Sequence, residues 1–386
     1  MRGCMAAQLL EQLKTIDPAV LTEVVRKDQR DPDLIIQDWT VEPITGGASG
    51  NSVFRLSGVQ RDHEWVVVAK FFTLSEPGSE KPGDWSYSQR EILAFQSGEL
   101  ERLPSGIRAP RYYGVTKSVG GSWLWIENIQ DVAPKKWTLD TFQRTARMLG
   151  RFHAAYLDGH PVPAQPWFSE NFARSVLADG GGISALLNPD LEGSVWKLPI
   201  HQAMFDHMQK ARILQWVAEK NVFFDANDRL PQVFCHNDAQ RRNFMWAHTS
   251  NEIELIAIDW AFSGPGSLGS DLGQLTGNSM WFYEYNPFDA ETLERALLES
   301  YLAGIADHKV DVDRRLVRLG YLISVSFWVG AGLPILVHFQ LPPKAEGEVP
   351  LFGREKEDLL PGWTHLNAYG LDRADEARSL MNQLGF

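Results

Sequence analysis

Apolar positions follow two different periods along the chain. In the first third they alternate or run on unbroken over short stretches. "ITGGASGNSVFRL" reads as strand, turn and strand, and "EWVVVAKFF" and "SWLWIENI" as further strands, with one helix, "SYSQREILAFQSGEL", among them. From "TLDTFQRTARMLGRFHAAYL" onward the spacing is helical. Phe142, Ala146, Leu149, Phe152 and Tyr156 fall on one stripe, and the Thr138 or Asp140 region supplies a cap. The switch, near "IENIQD", predicts a strand-rich lobe over 1–127 and a mainly helical lobe over 128–386, an α+β architecture with that connection as its hinge. Two Gly- and Pro-rich stretches, 158–200 and 340–363, match no element. Loops of that length in a compact domain are usually lids, binding loops or disordered segments.

One stretch breaks both patterns. "FCHNDAQRRNFMWAHTSNEIELIAIDW" sets His, Asn, Asp and Arg between apolar runs, and its second half predicts a hairpin around a polar turn. Taken singly, each polar residue has a structural explanation, since Asn and Asp favour turns. Their spacing adds a chemical one. His236, Asp238 and Asn243 form His-x-Asp-x-x-x-x-Asn, followed by the hairpin and an Ile258-Asp259 step. Phosphoryl transfer from ATP needs one carboxylate to accept the proton of the attacking hydroxyl. It also needs an amide oxygen and a second carboxylate to hold magnesium against the phosphates. A tight loop brings Asp238 and Asn243 together, and the hairpin returns Asp259 beside them.

Such a motif requires partners upstream. In "EWVVVAKFF", Val66, Val68 and Lys70 share a face. A lysine ending an apolar strand can snorkel to solvent. In an ATP-binding lobe it would instead reach the phosphates, with Val68 against the adenine and Glu91, on the next helix, fixing its position. A lone glutamate there is otherwise a solvated helix face. Gly46, Gly47, Ser49 and Gly50 lie in "TGGASGNSV", where glycines let backbone N–H groups approach a phosphate, although any hairpin turn favours Gly and Asn too. Neither GxGxxG nor Gly-Lys-Ser/Thr is present. Val53, after the turn, and Glu127, at the hinge, complete the candidate nucleotide site. The order of the parts, more than any one of them, points to a kinase.

Composition narrows the partners. With 386 residues the chain can bury a large core, and 44% apolar with 22% charged residues is ordinary for a globular protein. A net charge of −12 argues against non-specific nucleic-acid binding and favours neutral or cationic ligands, while magnesium can mediate the approach of ATP. Cys4 and Cys235 alone make neither a disulfide framework nor a cysteine-based metal site. No apolar stretch spans a bilayer or forms a signal h-region, so a cytoplasmic protein without membrane partners is expected; oligomeric state is left open.

Over roughly residues 40–280 the chain resembles the aminoglycoside phosphotransferase and choline kinase superfamily, in "GGASGNSVFRL", "LGRFHA", "VFCHNDAQRRN" and "LIAIDW". "FCHND" is similar to choline kinases and "IDW" to antibiotic kinases, whereas Gln240, Arg241 and Arg242 stand where the family often has small or apolar residues. The resemblance implies a bilobal, protein-kinase-like fold using ATP and Mg2+. Asp238 would be the catalytic base, and Asn243 and Asp259 the magnesium ligands. Lys70 would sit on the phosphates, held by Glu91. It implies that His236 and Asp271 brace the loop, although Asp271 would also serve as a plain helix cap, and that His153 packs in its helix. Arg242 would either touch the transferred phosphate or only solvate the loop. The implied acceptor is a small hydroxylated molecule, cationic or neutral: an aminoglycoside, an aminosugar, a sugar or a choline-like alcohol. Trp281, Trp328 and Trp363 offer aromatic faces for it, though tryptophans more often pack in cores. A protein kinase is disfavoured, because Asp259 and Asp271 are only twelve residues apart and neither Asp-Phe-Gly nor Ala-Pro-Glu occurs. A catalytically dead binding module is disfavoured because Lys70, Glu91, Asp238, Asn243 and Asp259 are all present.

Overall fold

The computed structural model describes residues 2–44, 52–61, 63–76, 79–178, 185–190, 192–248, 252–340, 352 and 354–386. Strands β1 (Thr40–Pro43), β2 (Ser52–Gln60), β3 (His63–Thr73), β4 (Tyr112–Ser118) and β5 (Gly121–Glu127) form one antiparallel sheet in the order β1-β2-β3-β5-β4. β3 explains what lies on either side. Trp65, Val67, Ala69 and Phe71 enter one core, Val68 and Phe72 the other, and Lys70 shares the face of Val68. A strand apolar on both faces must be covered on both. The cover at the back is α1 (Arg2–Lys14) and α2 (Pro18–Gln29), through Leu9, Leu13, Leu21, Val24 and Val25.

The first third therefore holds three helices among the described residues, not the one expected. The expected helix, α3 (Arg90–Gln96), is also shorter than its apolar pattern suggests. Strand β4 was not anticipated either. Its mixed sequence, "YYGVTKS", is held by pairing along β5 more than by its own alternation.

Helix α4 (Leu139–Leu157) begins at Thr138, whose side chain accepts the Thr141 N–H, and the expected stripe from Phe142 to Tyr156 is buried. The helix lies against a second one, Ala290–Ala306, with backbone touching backbone. A Cβ on Gly150 would stand 2.1 Å from the Tyr301 carbonyl oxygen, and one on Gly304 would stand 2.0 Å from that of Arg147. Gly150→Ala is therefore expected to force the helices apart and cost about 1–3 kcal/mol, the range for overpacking. A urea midpoint unchanged from wild type would show that the pair can yield without loss.

The two unassigned stretches contain helix after all: Phe172–Ala178 and the first two residues of Pro199–Met204 in the first, and the start of Lys356–Leu384 in the second. Trp281 and Trp363 stack on each other, ring centroids 4.2 Å apart, and are 2% and 0% exposed. Both are core residues, so of the three tryptophans only Trp328 remains for an acceptor. Among the described residues no single helix is long and apolar enough to cross a membrane. One bent pair, Arg314–Ala331 with Leu333–Phe339, has the length and composition together, and it contributes many buried residues to the larger core.

Candidate active site

The loop 236–243 is suspended between β6 (Gln232–Cys235) and β7 (Phe244–His248). β6 pairs with β9 (Gly264–Ser267), and β7 forms the expected hairpin with β8 (Ile253–Ala257). Asp271, fully buried in the first turn of helix Ser270–Trp281, accepts the N–H groups of His236 at 2.8 Å and Asn237 at 3.0 Å. Burial alone would raise its carboxyl, but the hydrogen bond and charge of His153, then His236, hold it below the usual range. His153 is itself fixed by the Tyr301 hydroxyl at 2.7 Å. Gln274 accepts the Ala239 N–H at 2.9 Å, and His236 Nε2 meets the Ile258 carbonyl at 2.9 Å. Asn237 and Asp259 adopt left-handed backbone, with φ of 61° and 62°, which Asn and Asp tolerate better than other non-glycine residues. The loop is thus pinned by Asp271 and Gln274 of one helix, with His153 and Tyr301 from two others behind Asp271, and by the Ile258 carbonyl just after β8.

Within that frame Gln240 Nε2 donates to both Asp238 carboxylate oxygens, at 3.0 and 2.9 Å, and Asn243 Nδ2 donates to Oδ2 at 2.7 Å. Burial pushes the Asp238 carboxyl up. His236 pulls against it, and the nearby charge of Asp259 adds to the rise.

Lys70 reaches the same place from β3. Its Nζ lies 2.5 Å from Glu91 Oε2 on α3 and 2.8 Å from Asp259 Oδ1. The Lys70 and Glu91 side chains are 8% and 1% exposed, so the lysine does not snorkel and the glutamate is not on a solvated face. Burial would lower the ammonium, but Asp259 and Glu91 outweigh it and hold Lys70 charged, above its ordinary value. The same contact keeps Asp259 low in spite of its burial. Asn243 Nδ2 faces Asp238, which turns its Oδ1 outward, and no described hydrogen bond engages Asn243 Oδ1 or Asp259 Oδ2. An amide oxygen and a carboxylate oxygen are hard donors, the kind that suits Mg2+.

The remaining candidates are placed as follows. Val53 stands opposite Lys70 in the β2–β3 register, and Val68 stands opposite Ile126 across β3 and β5. The Glu127 carboxylate is gripped by Arg108 at 2.6 and 3.2 Å and by Arg111 at 2.9 Å, so its side chain serves the end of β5 and leaves only backbone for a ligand. Arg108 also binds Glu254 at 2.9 Å and pairs through its backbone with Leu255 and Ala257, stapling the sheet to the β7–β8 hairpin. No described hydrogen bond or ion pair joins Arg242 to Asp238, Lys70 or Asp259. Its guanidinium binds Glu284 at 2.9 Å and stacks 4.1 Å over the Phe282 ring. Gly46, Gly47, Ser49 and Gly50 lie outside the described residues.

Arg90 escaped the sequence reading. Fully buried beside Glu91, it donates to the carbonyls of Trp167 (2.7 Å), Ala261 (2.7 Å), Trp85 (3.1 Å) and Asp84. Burial lowers its guanidinium to about 10, since carbonyls take the place of a carboxylate partner. The available signal was two successive charges opening a helix too apolar to leave both in water.

Residues 40–308 match the phosphotransferase enzyme family. The chain belongs to that family. No curated protein sequence matches this phosphotransferase significantly. Solved structures do. One is a microcompartment-associated aminopropanol kinase, 12% identical over 92% of this chain and 98% of that one, with a TM-score of 0.53. Another is an aminoglycoside phosphotransferase from Alicyclobacillus acidocaldarius, 13% identical over 96% of each chain, TM-score 0.50. A third is an amicoumacin kinase in complex with AMP-PNP and Ca2+, 13% identical over 85% of this chain and 88% of that one, TM-score 0.50. At such identities the likeness speaks for the fold, and the kinase-like α+β fold expected of the phosphotransferase is the one observed.

Proposed function

We propose that the enzyme moves the γ-phosphoryl group of ATP to a hydroxyl of a small molecule, with Mg2+ as cofactor. The observation that carries this reading is convergence. Asp238, Asn243, Asp259 and the Lys70–Glu91 pair come from the catalytic loop, the step after β8, β3 and α3, and meet around one point. Asp238 takes the proton of the acceptor hydroxyl as its oxygen bonds to the γ-phosphorus and the bond to the β,γ-bridging oxygen breaks, releasing ADP. Asn243 Oδ1 and Asp259 Oδ2 would hold magnesium, which when bound neutralises charge on the phosphates. Lys70 orients the phosphates, and Glu91 positions Lys70 without touching nucleotide. Val53 and Val68 line the base site, with the backbone at Glu127 at the hinge, and the sequence motif assigns Gly46, Gly47, Ser49 and Gly50 to the phosphates. The lobe boundary falls at 127/128. Arg242, as placed, anchors the loop to Glu284 and would have to leave that partner to reach phosphate.

The direct test is ADP release from ATP across a panel of hydroxyl compounds, with and without magnesium. No acceptor-stimulated ADP release would favour a kinase-fold binding module instead. The Lys70–Glu91 pair supplies a sharper test. Lys70→Met should lower kcat/KM by roughly 10²-fold or more, the scale of losing a preorganised electrostatic contact. Glu91→Gln should also impair turnover, and the double mutant should be little worse than Lys70→Met alone, since residues that act as a unit are not additive. Because the pair is buried, Lys70→Met also leaves Glu91 uncompensated and should cost about 3–5 kcal/mol of stability, part of it recovered in the double mutant. Additive losses in both cycles would mean that the residues do not act together.

A further inference from the structure

A cavity of about 300 Å3 opens directly beside Asp238. Asp238 and Asn237 form its polar side, and the Asn237 amide is already bound to the Phe262 carbonyl at 3.1 Å. The other described lining side chains are apolar, the indole N–H groups of Trp85 and Trp328 apart. Four rings run in series along the wall: Trp85 to Phe262 at 6.1 Å, Phe262 to Phe172 at 5.3 Å, and Phe172 to Trp328 at 6.0 Å between centroids. Leu177 and Leu336 continue the surface with aliphatic carbon.

The fold builds this space deliberately. A π-helical turn, Ser326–Ala331, interrupts the helix beginning at Arg314 and turns Phe327 and Trp328 into the cavity; such turns are frequent at functional sites. The axis then bends by 48°, bringing Leu333–Phe339 back across the opening, where Phe339 stays 61% exposed at the rim.

The described lining carries little charge. Asp238 is the sole ionisable group among its described lining residues, and its carboxylate is already held by Gln240 and Asn243. An aminoglycoside or aminosugar would bring several ammonium groups, with no acid beyond Asp238 among the described lining residues to receive them, and burying an unpaired charge is costly. A trimethylammonium head could be held by rings. The aliphatic walls offer it nothing, and the space suits a larger body.

Resting on the phosphotransferase reading above, we infer that the acceptor is a neutral alcohol with a bulky apolar body, aromatic or alicyclic, whose hydroxyl meets Asp238. Its oxygen gains the γ-phosphoryl group, its proton passes to Asp238, and ADP leaves.

The test uses the full-length enzyme with γ-labelled ATP and magnesium, offered 2-naphthylethanol, a fused-ring steroid alcohol, choline and an aminoglycoside. Binding of 2-naphthylethanol is followed separately by its fluorescence. Transfer to the two apolar alcohols should exceed transfer to choline or the aminoglycoside by at least tenfold in kcat/KM. A carboxylate on the wall, Leu336→Asp, should raise KM for them by on the order of ten- to a hundredfold. Phe339→Asp, at the exposed rim, supplies the same comparison where folding of the first variant fails. Preference for choline or the aminoglycoside overturns the inference while leaving the phosphotransferase reading intact. So does an absence of naphthylethanol binding. Binding that Leu336→Asp or Phe339→Asp weakens, with no phosphate passed to any alcohol, upholds the apolar site and overturns the reading of the chemistry.

Discussion

Asp238→Asn is expected to bind Mg-ATP as the wild type does while turnover falls by roughly 10²–10⁴-fold, the usual worth of a positioned general base. The substitution keeps the shape of the side chain inside the Asp271-braced loop; its amide oxygen can still accept from Asn243 and Gln240, so besides basicity only the second Gln240 hydrogen bond is given up. The raised Asp238 carboxyl adds a pH signature. Wild-type turnover should fall as pH drops through a pKa above the ordinary aspartate value of about 3.9, and the residual activity of the variant should lack that limb. The stability effect has the opposite sense from a salt-bridged aspartate. A carboxyl whose folded pKa is raised stabilises the fold when protonated, at low pH, and loses that contribution as pH rises through the folded pKa. At neutral pH the charged form is therefore a burden, and the neutral asparagine should leave the thermal midpoint unchanged or higher. Near-wild-type turnover in this variant would remove Asp238 from the chemistry.

Asp259→Ala should abolish the magnesium dependence of nucleotide binding. Changes to outer-shell partners alone typically cost 10–100-fold in metal affinity, so loss of a ligand should weaken Mg-ATP binding by at least about a hundredfold. Lys70 keeps Glu91 as its partner, and metal-free ATP should bind the variant about as it binds the wild type. Calorimetry with and without magnesium separates the two. A variant that binds Mg-ATP as tightly as wild type would show that Asp259 is not the ligand.

Much of this site is legible in the sequence. Alternation along β3 placed Val68 and Lys70 on one face, and the polar turn between apolar runs marked the β7–β8 hairpin that carries the chain to Asp259. These are local rules, with period and turn chemistry acting over a few residues. What escaped depends on contacts far apart in the chain. The unbroken apolar run of β3 demanded a second cover, but nothing local said that α1 and α2 supply it. Trp363 meets Trp281 across 82 residues, so its fate as core could not be told from an exposed aromatic. Arg242 was equally opaque, because Glu284 lies 42 residues away. The apolar cavity beside Asp238, assembled from the 236–243 loop, the Phe172 helix and a π-turn, has no signature in any single stretch.

The guanidinium of Arg90 has a consequence for regulation. To swing α3 outward and withdraw Glu91 from Lys70, the chain would have to pull that cation out of carbonyls contributed by three separate segments. Hydrogen bonds to a charged group are worth about 1.5–3 kcal/mol each, and four would be given up together. A displaced helix would then be populated in fewer than about one molecule in a hundred. Amide exchange along α3 should accordingly track global unfolding, and faster local opening there would contradict the assignment. On the proposed reading, the Lys70–Glu91 pair is then set as soon as the chain folds and needs no separate step that moves α3 into place.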